Sequence, residues 1–131
     1  MKVTTLKKYA ELIARRGVNL KKGDEVVITA ELDQPEFVKM LVEECYKRKA
    51  KKVVVDWSYQ PLQKLHVKYR NLKTLGKVED WEVARLEHYI ETLPARIYLI
   101  SEDPDGLRGM DREKNAKGAQ ARSKIIKPLR D

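Results

Sequence analysis

The chain has 131 residues with 28 lysines and arginines, 20 aspartates and glutamates and a formal net charge of +8. This length suits one domain that buries about two-thirds of its unfolded surface, and the single cysteine, Cys45, excludes an internal disulfide. Because no long apolar stretch follows the charged first residues, we expect no export signal, no membrane span and a cytoplasmic location.

The first two elements are a helix and a strand. Thr4 or Thr5 can cap the helix, Gly17 can end it, and its apolar residues recur at i, i+3, i+4 and i+7. These apolar residues are Leu6, Tyr9, Ala10 and Ile13. After a charged turn, the β-branched run at residues 25–30 predicts a strand buried on both faces.

Residues 25–57 predict a βαβ unit. Asp33 and Glu36 have the spacing of a capping box around Pro35, and the helix that follows is expected to end near Lys49. Its apolar stripe is Val38, Leu41, Val42 and Cys45. A second β-branched strand at residues 53–57 then predicts a right-handed parallel crossover.

Two helices are predicted between the second and third strands. The first begins at Pro61, and its apolar face is Leu62, Leu65, Tyr69 and Leu72. Gly76 interrupts the pattern, and Pro94 ends the second helix. The apolar residues of that second helix are Val83, Leu86, Ile90 and Leu93.

The last part of the chain predicts a strand at residues 95–100, an acidic turn at 101–106, and a helix from about Arg112 that Asp111 caps. The expected inner face of this helix consists of small residues, with Gly118 in its middle. That face is Ala116, Ala119, Ser123 and Ile126.

These elements predict a single α/β domain over residues 1–131, in the order α-β-α-β-α-α-β-α. The domain is a small three-layer arrangement in which helices flank a short parallel sheet of about three strands. Three strands are few and leave a sheet edge exposed, and the last helix suits packing on something outside the chain. We therefore expect a piece of a longer protein.

Ligands of parallel sheets usually gather where the strands end, which here points to residues 101–111. Asp103 and Asp105 lie there and could bind a cation or act as acid and base in a stand-alone enzyme, but their spacing around a Pro and before a Gly is ordinary turn chemistry. His66 and His88 lie on different predicted helices, so we expect no metal site in this chain. Cys45, on an apolar stripe, is interpreted as a small buried hydrophobe and not as a nucleophile.

The basic excess lies mainly in the last segment, since residues 106–131 carry eight basic and three acidic side chains. A basic α/β module that binds nucleic acid is therefore an alternative function. No aromatic residue interleaves with the basic ones after residue 115, so a solvated or inter-domain helix is the preferred interpretation.

Several stretches, in order, carry a family resemblance: LKKYAELI with GVNLKKGD at residues 6–24, VVVDWS at 53–58, and SEDPDGLRGMD, AQARSK and KPLR between 101 and 130. Together they resemble the N-terminal domain of the thermophilic metallo-aminopeptidase family of the AmpS and aminopeptidase T type. Residues 61–78 depart most from that pattern.

The resemblance implies a two-domain exopeptidase that removes N-terminal residues from peptides with two divalent metals, zinc, cobalt or similar, held by the C-terminal domain. It implies no catalytic residue, metal ligand or cofactor in this chain. The implied role is to bound the active-site cavity and pack on the catalytic domain, with a homodimer contact as a further role. The candidate boundary residues are Asp103, Asp105, Arg108, Arg112 and Arg122.

Overall fold

The structure is a computed structural model that describes residues 3–17, 19–99 and 105–130. The chain divides into two compact units. The sheet unit comprises Met1–Ser58 and Pro94–Ser101, and the helical unit comprises Tyr59–Leu93 and Glu102–Asp131.

Three parallel strands form the sheet: β1 at Glu25–Glu31, β2 at Lys52–Ser58 and β3 at Ala95–Leu99. Their order is β2-β1-β3, so β1 is central and pairs with both neighbours. In register, Ile28 faces Val55 on one side and Ile97 on the other. The three predicted strands are confirmed to within one residue at each described end, and predicted strand residue 100 lies outside the described residues.

Within its described residues, the sheet unit also contains two α-helices. Helix α1 spans Val3–Leu12 and continues as a π-helical turn at Ile13–Gly17, and α2 spans Pro35–Lys47. Because side chains alternate along a strand, one face of the sheet carries the residues that join the helices in the core. The buried core is Ala10, Ala14, Leu20, Val26, Ile28, Ala30, Phe37, Val38, Leu41, Cys45 and Ile97.

The predicted ends of α2 need correction. Gln34 is the N-cap and makes no side-chain capping bond, so Asp33 stands one residue too early for the predicted capping box. The helix ends at Lys47 because Lys49 takes a left-handed backbone, with φ of 70°. The amide of Ala50 donates to the Cys45 carbonyl at 3.2 Å and closes this end.

Cys45 is fully buried on α2. Burial, with a smaller contribution from Glu44, raises the pKa of its thiol from 9.0 to about 11. Because the thiolate is the nucleophile, we expect a maleimide to label Cys45 at neutral pH only after the chain unfolds. Mass spectrometry of protein labelled with and without urea measures this, and fast labelling of the folded chain would contradict the observed burial.

The helical unit contains four helices within its described residues: α3 at Gln60–Tyr69, α4 at Leu72–Leu75, α5 at Asp80–Thr92 and α6 at Arg112–Arg130. One more helix therefore lies between β2 and β3 than the two predicted. The extra helix α4 is short, and the Asn71 side chain caps it by accepting from the Thr74 amide at 2.8 Å. Helix α6 begins as predicted, since Asp111 accepts from the Lys114 amide at 3.0 Å.

Two predicted apolar faces are wrong in the helical unit. On α3 the buried residue is Val67, whereas Leu62, Leu65 and Tyr69 are exposed. On α6, Gly118 is buried and Ile126 is partly buried, whereas the other predicted inner residues are exposed. Those exposed residues are Ala116, Ala119 and Ser123.

The predicted class, α/β with a three-strand parallel sheet flanked by helices, is confirmed. In the described part of the chain, none of the helices is both long and apolar enough to span a bilayer.

Candidate functional site

Helices α4 and α6 meet at two glycines. A Cβ atom at Gly118 would lie 2.8 Å from Leu75 Cγ, and a Cβ atom at Gly76 would lie 2.8 Å from Ala121 Cβ. Both distances are shorter than carbon atoms tolerate, so the observed approach requires the absence of these side chains. This close packing sets Arg122, the next residue of α6, beside the segment that joins α4 to α5.

Arg122 binds that segment through both terminal nitrogens of its guanidinium group. Its Nη1 donates to the Lys77 carbonyl at 2.7 Å, and its Nη2 donates to Glu82 Oε1 at 2.6 Å. Nη1 also reaches Glu82 Oε2 at 3.3 Å, which makes the pair bidentate. The two side chains are 33% and 21% exposed, so water screens this pair less than it screens an ion pair at the surface.

Glu82 also holds the start of α5. Its Oε2 accepts from the Glu79 amide at 2.9 Å. In return, the Glu79 side chain accepts from the Glu82 amide, which completes a capping box. The hydrogen bond from Arg122 is the main cause that lowers the pKa of the Glu82 carboxyl, although partial burial opposes it. The carboxylate therefore stays ionised at neutral pH and serves as an acceptor, not as a proton donor.

A groove of about 680 Å³ lies in the helical unit around this pair. One wall is reinforced where Gln63 Nε2 of α3 donates to Asn115 Oδ1 of α6 at 2.8 Å. Its described lining combines charged side chains of both signs, amides and hydroxyls with the exposed ring of Trp81, and it includes neither histidine nor cysteine. The lining residues are Gln63, Arg70, Thr74, Leu75, Lys77, Glu79, Trp81, Glu82, Asn115, Gly118, Ala119, Arg122, Ser123 and Ile126.

The other candidate boundary residues lie before and at the start of α6. Arg108 Nη2 and Asp105 Oδ1 are 3.3 Å apart in a tight turn, and both side chains are largely exposed. Arg112, the first residue of α6, is exposed, and Asp103 lies outside the described residues. The structure thus joins Asp105 to Arg108, and it joins Arg122 to a partner that the sequence did not indicate.

The family resemblance implies metal ions, but the described residues do not fit such a centre. Nowhere in residues 3–17, 19–99 and 105–130 do three or more His, Cys, Asp or Glu side chains gather closely enough to hold a metal ion. His66 lies on α3 and His88 on α5. The centroids of the His88 and Tyr89 rings are 5.9 Å apart. No step of a reaction is therefore assigned to a metal held by this chain.

The sequence names Arg122 as a candidate boundary residue but does not indicate its partners. Glu79 and Glu82 have the spacing of a capping box, but glutamate is not among the preferred N-cap residues, so the sequence gives little signal for the start of α5. The contacts of Arg122 with Glu82 and the Lys77 carbonyl span 40 and 45 residues of sequence, and no local pattern indicates them.

Comparison with known proteins places these features in a family. The sequence profile described as "Thermophilic metalloprotease (M29)" matches residues 2–131. Aminopeptidase AmpS of Bacillus subtilis is 31% identical over 125 residues, which are 95% of this chain and 30% of that protein. Aminopeptidase T of Thermus thermophilus is 31% identical over 123 residues, which are 94% of this chain and 30% of that protein.

A solved structure supports the same family assignment. The wild-type AmpT from Thermus thermophilus superposes with a TM-score of 0.85 at 30% identity, over 96% of this chain and 32% of that one. The chain thus spans about 30% of the length of the curated relatives it matches. The resemblance read from the sequence is confirmed, and the chain belongs to the thermophilic metalloprotease (M29) family.

Proposed function

We propose that this chain is the N-terminal, non-catalytic domain of a cytoplasmic, metal-dependent aminopeptidase. One observation carries the proposal: a chain matched over 94–95% of its length accounts for only 30% of two relatives that are named aminopeptidases. Most of each relative, and with it ample room for a catalytic domain, lies outside the match. The whole of residues 1–131 acts as one domain in this proposal.

In this role the chain contributes structure to the enzyme, not reacting groups. The bidentate pair of Arg122 and Glu82 fixes α6 against the start of α5 and so holds the wall of the groove. The turn with Asp105 and Arg108, together with Asp103, Arg112 and Arg122, forms the proposed boundary with the catalytic domain and its cavity. Three further parts of this proposal rest on the family resemblance alone. They are peptide substrates, two divalent ions such as zinc or cobalt on the catalytic domain, and a homodimer contact.

The test is an assay of the purified 131-residue chain on aminoacyl substrates with added zinc or cobalt. We expect no release of the N-terminal residue above a blank that contains metal alone, because the described residues offer no ligand cluster. Aminopeptidase T of Thermus thermophilus, assayed in parallel, shows that the substrates and metals are competent. Circular dichroism of the same sample establishes that the chain is folded, and turnover by the folded chain would refute the non-catalytic role.

A further inference from the structure

Helix α3 carries an apolar stripe that faces solvent. The stripe consists of Leu62, Leu65 and Tyr69, which are 44%, 48% and 75% exposed. Their spacing of three and four residues places them on one side of the helix. We call this surface the α3 stripe.

Single exposed apolar residues are normal, but several on one helix face mark a surface that binds something. The helix already buries a different residue, Val67, which is 1% exposed. The amphipathic pattern of α3 is therefore not explained by the packing of Val67. Leu72, at the start of α4, is 43% exposed and adds a further apolar residue after the end of α3.

The segment that carries the α3 stripe is basic. Residues 60–77 contain five lysines and arginines and neither aspartate nor glutamate, although two of these cations, Arg70 and Lys77, line the groove together with Glu79 and Glu82. One of these cations, the Lys68 Nζ, lies 5.2 Å from the centroid of the Tyr69 ring. A partner that covers the stripe must therefore present an apolar surface edged by carboxylates. A second copy of this chain, docked through the same stripe, would set positive charge against positive charge.

The length of the relatives indicates where the partner surface, apolar and edged by carboxylates, is found. This chain accounts for 30% of AmpS and of aminopeptidase T, so most of a family member lies outside the match. We propose that the α3 stripe docks onto the remaining part of the longer polypeptide, on an apolar surface with an acidic rim. This inference rests on the proposed function, in which the chain is one domain of a larger enzyme.

Photo-crosslinking tests the docking in the full-length polypeptide that carries this chain. The substitution Leu65→p-benzoylphenylalanine puts a photoreactive group on the stripe, at a position exposed enough to accept it. We expect irradiation to link position 65 to an apolar segment of the same polypeptide outside residues 1–131, flanked by Asp and Glu, as read by peptide mass spectrometry. The matched control is Leu12→p-benzoylphenylalanine, because Leu12 is also a helical leucine with 48% exposure and lies on α1. The control should give no link to that segment.

Other results would overturn the docking surface. These are a link between two copies at position 65, a link to added RNA at low salt, equal links from positions 12 and 65, or no link from position 65. The crosslink is read without any assay of activity, so the two proposals fail separately. An inactive full-length protein that shows the expected link refutes only the aminopeptidase function, and an active protein without the link refutes only the docking surface.

Discussion

Replacing Arg122 with methionine is expected to lower the free energy of unfolding of this chain by about 1.5–3 kcal/mol, the usual worth of hydrogen bonds to a charged group. The guanidinium satisfies both carboxylate oxygens of Glu82 and the carbonyl of Lys77, and its loss leaves these acceptors without that donor. Methionine keeps much of the length of the side chain, so the change reports mainly on the charged contact. Urea denaturation followed by circular dichroism measures the effect.

Two further variants identify the origin of that loss. Glu82→Gln removes the charge but keeps an oxygen that can accept from the Glu79 amide. The double variant Arg122→Met with Glu82→Gln should lose less free energy of unfolding than the two single variants lose in sum. Arg108→Met is the matched control, because Arg108 also pairs with a carboxylate at 3.3 Å but both side chains are largely exposed. The control should change the free energy of unfolding by only about 0–1 kcal/mol. Equal losses for Arg122→Met and Arg108→Met would contradict the special role of the partly buried pair.

The same pair gives the stability a defined dependence on pH. The pKa of Glu82 is lower in the folded chain than its ordinary value of 4.5, chiefly because Arg122 donates to the carboxylate. A lowered folded pKa means that the stabilisation is fully present above pH 4.5 and is lost as the pH falls through the folded pKa. Arg122→Met should therefore weaken the acid sensitivity of unfolding, whereas Arg108→Met should retain it.

Gly76→Ala is expected to lower the free energy of unfolding by about 1–3 kcal/mol, the usual cost of overpacking. The added Cβ would lie 2.8 Å from the Cβ of Ala121, which can move only with the backbone of α6. Backbone strain is not the cause, because Gly76 has a φ of −88° that alanine adopts readily. The midpoint of urea denaturation is again the measurement.

Ala121→Gly provides the control for this contact. Alone it should cost up to about 1 kcal/mol through lower helix propensity, but together with Gly76→Ala it removes the steric conflict. The double variant should then be more stable than the sum of the two losses predicts. If Gly76→Ala instead stabilised the chain, as alanine does at an unhindered position, the close approach of α4 and α6 would be refuted.

Local patterns in the sequence predict the three strands and their parallel arrangement, but not their order in the sheet. The β-branched runs at residues 25–30 and 53–57 became β1 and β2, because each is short, apolar and bounded by polar turns. The helices were predicted where they occur, apart from the short α4, but the faces that α3 and α6 bury were not. Periodicity shows that Leu62 and Leu65 share a side of α3, yet it cannot show whether this chain or another surface covers that side.

The site depends on information that no local pattern contains. The sequence places Gly118 in a face of small residues that suits packing on something outside the chain, whereas the structure uses it as a point of close approach to Leu75. That contact joins parts of the chain that are distant in sequence, as does the contact of Arg122 with Glu82. The contact of Arg108 with Asp105 is local by comparison, because the two residues lie three positions apart within one turn.

The interleaving of the two units limits how this polypeptide can be rearranged. Strand β3 lies in Pro94–Ser101 and completes the sheet beside β1, but the whole of Tyr59–Leu93 intervenes along the chain. Truncation of the chain after Ser58 would leave the central strand with one neighbour and an unprotected hydrogen-bonding edge. The sheet unit therefore cannot be isolated by cutting the chain at a single point, because its two segments flank Tyr59–Leu93.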